Sequence, residues 1–98
     1  MNERAREALV AAALSGRSQI KRRMHDEFGG ACAAGVLFEN VTGERHQAFT
    51  QYKEFRKVLE ELDISERELT RIWHANDIHG WDFLTIARKI GNDDADAD

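Results

Sequence analysis

Apolar positions recur at helical rather than alternating spacing over most of the chain. The clearest stretch is 64–91, ISERELTRIWHANDIHGWDFLTIARKIG. Ser65 followed by Glu68 has the form of a capping box, in which the hydroxyl takes an orphan N–H at the helix start and the carboxylate reaches back to the cap. Leu69, Ile72 and Trp73 then fall on one helical face. Asn76-Asp77-Ile78-His79-Gly80 interrupts the pattern with residues that cap and turn. Phe83, Leu84, Ala87 and Ile90 resume it, and Gly91 stands where a left-handed helix end favours glycine. This half predicts helix, polar corner, helix.

Upstream, Asn2 caps a first helix running to about Leu14, and Ser15-Gly16 ends it. Its apolar residues are mostly alanines spread round the cylinder, so the helix is expected to be central or covered by a partner. A second helix is predicted from Arg17 to Phe28, with Ile20, Met24 and Phe28 on one side. Arg17, Lys21 and Arg22 or Arg23 lie away from that side, and Gly29-Gly30 ends it. Ala31–Phe38 is the most apolar run; its alanines favour a helix, and a β-hairpin around 36–49 turning at Asn40 or Gly43 is the rival. The longest helical pattern, Glu44–Leu62, carries a stripe of Phe49, Tyr52, Phe55, Leu59 and Leu62, with Val58 at its margin and Lys53, Glu54, Lys57 and Glu61 outside. The expectation is an all-α fold, a compact single-domain bundle of five to six short helices over 1–92, with a helix-corner-helix C-terminal half.

Composition bears on this in two ways. With 98 residues the chain is one domain, and the absence of proline leaves each helical pattern unbroken. A net charge of −4 hides a gradient: residues 1–24 hold six basic against two acidic side chains, while DDADAD at 93–98 holds four aspartates. That end is expected to be a disordered acidic tail. No apolar run approaches the roughly 20 residues a membrane span needs. A single cysteine permits no internal disulfide, which fits a reducing cytoplasm.

GACAAGVL at 30–37 is similar to a Cys-Ala-x-Gly-(Ala/Val)-Leu core motif, and HANDIHGWDFLTIARKI at 74–90 to an Asn-Asp-x-x-Gly corner before a last helix. In that order they resemble small phage-encoded and bacterial proteins of unknown function. Cys32, Gly35, Leu37, Asn76, Asp77, Gly80, Phe83, Ile86 and Ala87 carry the likeness, which spans residues 5–90. Some of those proteins carry two successive cysteines where this chain has one. The resemblance implies an intracellular, mobile-element origin and no particular chemistry.

Catalysis is not expected. Cys32 with His74, His79 and Asp77 or Asn76 offers the residue types of a thiol triad, yet it sits among small apolar neighbours, where a thiol is buried and inert. His74, Asp77 and His79 lack the spacing of a zinc motif, and the corner lacks the acidic residue that closes a calcium loop, so neither metal nor cofactor is expected. Trp73 and Trp81 flank the corner; both are expected in the core, and an exposed one would be a binding anchor. The functional expectation is therefore a non-enzymatic cytoplasmic protein (host cytoplasm, if phage-encoded) that binds another protein. Its surfaces are the basic face Arg17, Lys21, Arg22 and Arg23 and the corner around Asn76, His79 and Trp81, with a homodimer through the first helix. The second reading is a nucleic-acid-binding regulator. A helix-turn-helix outline and the basic segment favour it, whereas eight basic against twelve acidic residues over 25–92 oppose it.

Overall fold

A computed structural model describes residues 1–46 and 52–92, the side chains of 52–54, 91 and 92 excepted. Phe49, the Tyr52, Lys53 and Glu54 side chains, and the acidic end at 93–98 lie outside the described residues. Among those described, five helices follow in order: α1 (Glu3–Leu14), α2 (Ala33–Thr42), α3 (Tyr52–Leu62), α4 (Glu66–Asp77) and α5 (Phe83–Asn92). The chain is a small all-α domain. None of these helices is long and apolar enough to cross a membrane.

The starts of α1, α4 and α5 follow from a short polar side chain meeting an orphan amide. Asn2 Oδ1 accepts from Ala5 N at 2.9 Å, Ser65 Oγ from Glu68 N at 3.0 Å, and Asp82 Oδ1 from Thr85 N at 2.8 Å. At Ser65 only half of the expected box forms, because the Glu68 carboxylate pairs with the Met1 ammonium instead. Cys32 caps α2 with its sulphur, which accepts from Gly35 N at 3.3 Å. The run from Ala31 is thus the expected helix, and it continues to Thr42 before Gly43 closes it at φ +75°, which excludes the hairpin over 36–43.

α2 is the central element. Ala33 to Phe38 are all buried in it, and it packs against α1, α3 and α4 while α1 lies across α5. Leu9, Leu37, Phe38, Val58, Leu62, Ile72 and Ile86 fill the core. Val58 is fully buried rather than marginal, and the Phe38 and Phe55 rings meet at 5.4 Å.

Three expectations are corrected. Residues 17–32 form no helix but a strap wrapped over α2 and α4. Its backbone bonds run to distant residues: Ile20 N to Ala31 O (3.1 Å), Ala31 N to Ser18 O (3.0 Å) and Cys32 N to Met24 O (2.9 Å). A helix would have to surrender these, and Arg22 at φ +70° is incompatible with one. The small residues after Gly30 permit this close contact. A Cβ placed on Gly35 would lie 2.2 Å from Met24 O, so strap and α2 meet backbone to backbone. Phe28, expected beside Ile20 and Met24, is 86% exposed. Second, Glu44–His46 is not helical, because His46 N bonds His25 Nδ1 (3.0 Å) and Glu44 N bonds Thr42 Oγ1 (3.0 Å). Third, α4 runs through Asn76 and Asp77, and α5 through Gly91, so the corner shortens to 78–82.

Candidate binding surface at the α4–α5 corner

Asn76 and Asp77, read from sequence as turn residues, instead tie the strap to α4. Asn76 is 1% exposed. Its Oδ1 accepts from Gln19 Nε2 (2.7 Å) and Ala33 N (2.9 Å); its Nδ2 donates to Ile20 O (2.9 Å) and Asp77 Oδ1 (2.7 Å). All four hydrogen-bonding positions of the amide are used inside the protein. Asn76 is therefore a positioning residue and presents nothing to a partner, which corrects its place among the candidate binding residues. Asp77 Oδ2 in turn accepts from Trp73 Nε1 (2.8 Å) and from Arg22 N (3.1 Å).

These bonds decide the surface. Arg22 is held against the end of α4. Lys21 lies over the turn beyond it, its Nζ 3.5 Å from where a Gly80 Cβ would sit. Gly80 takes φ +69°, and Trp81 N returns to Ala75 O at 2.9 Å, closing the corner. The half-buried Trp81 ring has Lys89 Nζ over it at 5.1 Å and His79 beside it at 5.8 Å. Arg71, His74, Ala75, His79, Trp81 and Ile90 line a concavity of about 270 Å³. Trp73, its ring tilted against that of the lining residue His74 at 4.9 Å, is 41% exposed, and Ile78 is 67% exposed. Neither tryptophan is a core residue, against the sequence expectation. Trp73 is held outward because its indole N–H serves Asp77 one turn on.

The seven residues singled out from sequence thus separate. Lys21, Arg22, His79 and Trp81 come together at the corner, and Asn76 lies beneath them. Arg17 lies elsewhere, its guanidinium bonded to Glu39 (2.7 Å) and Gly29 O (3.0 Å). Arg23 is exposed on the strap, where its charge helps to hold the Asp26 carboxyl low, after the Gly30 amide bond. Trp73 and Ile78 were missed as surface residues. The i, i+4 spacing of Trp73 and Asp77 was the available sign.

Two other groups complete the chemistry. Cys32 is fully buried, and burial pushes its thiol up to about 11, so at neutral pH it is protonated and a poor nucleophile. Under α2, buried His25 sets Nδ1 3.0 Å from His46 N and 3.2 Å from His46 O, and Nε2 3.0 Å from Glu39 Oε1; a neutral ring accepts at Nδ1 from His46 N and donates Nε2–H to Glu39. Burial lowers the pKa of His25. For Glu39, burial would raise the carboxyl, but the bond and charge of Arg17 outweigh it and hold it low. Comparison of the chain with protein-family models, curated proteins and solved structures returned no match.

Proposed function

We propose that this chain is a small non-enzymatic protein, phage- or mobile-element-like and acting in the cytoplasm, that works by binding another protein at the α4–α5 corner. The observation that carries the reading is the convergence of two sequence-distant surfaces. The strap brings Lys21 and Arg22 beside Trp73, Ile78, His79 and Trp81. The exposed Trp73 and Ile78 supply apolar area of the kind that concentrates binding energy, and the cations at the corner select an acidic partner surface. Of the carboxylates at the corner, Asp77 already accepts three hydrogen bonds and Asp82 caps α5, which lessens their repulsion of such a surface. The same reading includes pairing of the chain with a second copy of itself through α1.

The test is quantitative capture from host lysate. Wild-type bait should retain a partner that salt elutes; Trp73→Ala should lose it, and so should Ile78→Ser or Lys21→Glu with Arg22→Glu, these last two at unchanged melting temperature. Equal capture by those variants would refute the corner as the binding surface. The nucleic-acid reading is kept because the same cations stand beside a helix-corner-helix. It requires a salt-dependent shift of a DNA duplex that the double glutamate variant abolishes, and no shift at low salt would end it.

A further inference from the structure

We propose that the acidic segment 93–98 docks into the concavity at the α4–α5 corner of its own molecule and covers it until an acidic partner displaces it. This rests on the reading of the corner as a binding surface and gives that surface a regulator. Asp93, Asp94, Asp96 and Asp98 follow α5 directly. They start beside the concavity. The corner 78–82 turns α5 back along α4, so that Ile90, near the end of α5, lines the same hollow as Arg71, His74, His79 and Trp81. Beyond Asn92 six residues span at most about 20 Å. Arg71 to His79 covers about 12 Å at helical rise, so the segment can run the length of the hollow to the turn at Gly80, where Lys21 lies.

Charge selects this hollow over its neighbours. Glu39 lines the groove between α1 and α2, Glu3 and Glu7 that between α1 and α5, and Asp63 and Glu68 the one where α4 begins. None of the residues lining the corner concavity is acidic. Lys89, over the Trp81 ring, and Lys21, over the turn, have no carboxylate partner among the described residues. Arg71 and Arg22 add to the same field. The carboxylates nearby are engaged: Asp77 accepts three hydrogen bonds, Asp82 caps α5, and Glu68 meets the Met1 ammonium.

The helix end pushes the same way. Straight beyond Asn92 the aspartates would face the negative end of α5, whose last turn holds Lys89 as its basic residue. Turned back over α4, they leave that field and meet cations. The link from Ile90 is short, so the contact is intramolecular, at an effective concentration on the order of mM, and individually weak ion pairs hold it.

Both tryptophans of the chain stand at the corner, so their fluorescence reports its coverage. In the full chain, changing Asp93, Asp94, Asp96 and Asp98 together to asparagine should make quenching by uncharged acrylamide at least ~1.5-fold more efficient at low salt, and 1 M salt, with a Debye length of about 3 Å, should remove the difference. A nitroxide on Ala97→Cys gives the location, since the other thiol, Cys32, is buried. The amide signals of His74, His79 and Gly80 should broaden at low salt and sharpen in 1 M salt, in Lys21→Glu with Lys89→Glu, and on addition of octaglutamate at matched ionic strength. Equal quenching of wild type and the asparagine variant would overturn the docking. So would broadening that salt leaves unchanged, or that falls on Asp63 and Glu68 instead. Broadening that octaglutamate does not reverse would overturn displacement by an acidic partner. None of these results decides whether the corner binds another protein, which capture by the corner variants tests separately.

Discussion

Truncating Asn76 to alanine removes one amide and strands partners on two elements, α2 and the strap. Ala33 N–H, at the first turn of α2, and Ile20 O, in the strap, have their side-chain bonds from this residue alone. Gln19 keeps its second acceptor, Trp81 O at 2.8 Å, so it is counted out. Leaving a buried polar group unpaired costs about 1–3 kcal/mol, so the two backbone groups together lose about 2–6 kcal/mol. A domain of this size is stable by about 5–15 kcal/mol, and near 100 residues each kcal/mol moves the midpoint by about 4–8 °C. Asn76→Ala should therefore lower Tm by more than ~10 °C in a calorimetric or circular-dichroism melt. Asn76→Asp is the companion variant. It keeps the acceptor facing Gln19 and Ala33 N but sets a second carboxylate against Asp77 Oδ1 and Ile20 O, where Nδ2 now donates. Repulsion and burial raise the pKa of the introduced carboxyl above its unfolded value, so this variant should gain stability as pH falls from neutral. A Tm within ~3 °C of wild type for Asn76→Ala, under ~1 kcal/mol for a protein of this length, would refute the claim that this amide secures the strap.

Lowering pH should destabilise the wild-type protein through His25. Its folded pKa lies below the ordinary 6.5, so from about that pH downward the unfolded chain binds the extra proton first. The urea midpoint should accordingly fall between neutral pH and pH ~5, and His25→Gln should flatten the slope; a midpoint that rises on acidification would contradict the neutral ring. Gly35→Ala places a methyl 2.2 Å from Met24 O and should cost about 1–3 kcal/mol by chemical denaturation, and a neutral result would mean the strap can yield there. Cys32 should alkylate at least ~100-fold more slowly in the native protein than in urea, because its thiol stands near 11 against an ordinary 9.0 and is buried; comparable rates would contradict its enclosure.

Local features told the truth where the bonds they describe are local. Asn2, Ser65 and the small residues from Ala31 announced three helices, and Phe55, Leu59 and Leu62 announced the buried side of α3, since a helix bonds within itself four residues apart. Within the candidate site, Lys21, Arg22, His79 and Trp81 could be picked out by type, but their proximity could not. The strap misled for the complementary reason. Ile20, Met24 and Phe28 fit a helical period, yet the backbone of Ile20 and Met24 finds better partners in Ala31, Cys32 and Asn76, up to 56 residues away. Tertiary structure alone turned Asn76 inward, stood Trp73 and Phe28 in solvent, and carried a basic segment to the corner. A chain pattern records which side chains prefer water. Which amides will trade their own helix for a distant carbonyl is decided only when the small residues at Gly30–Gly35 let two backbones touch.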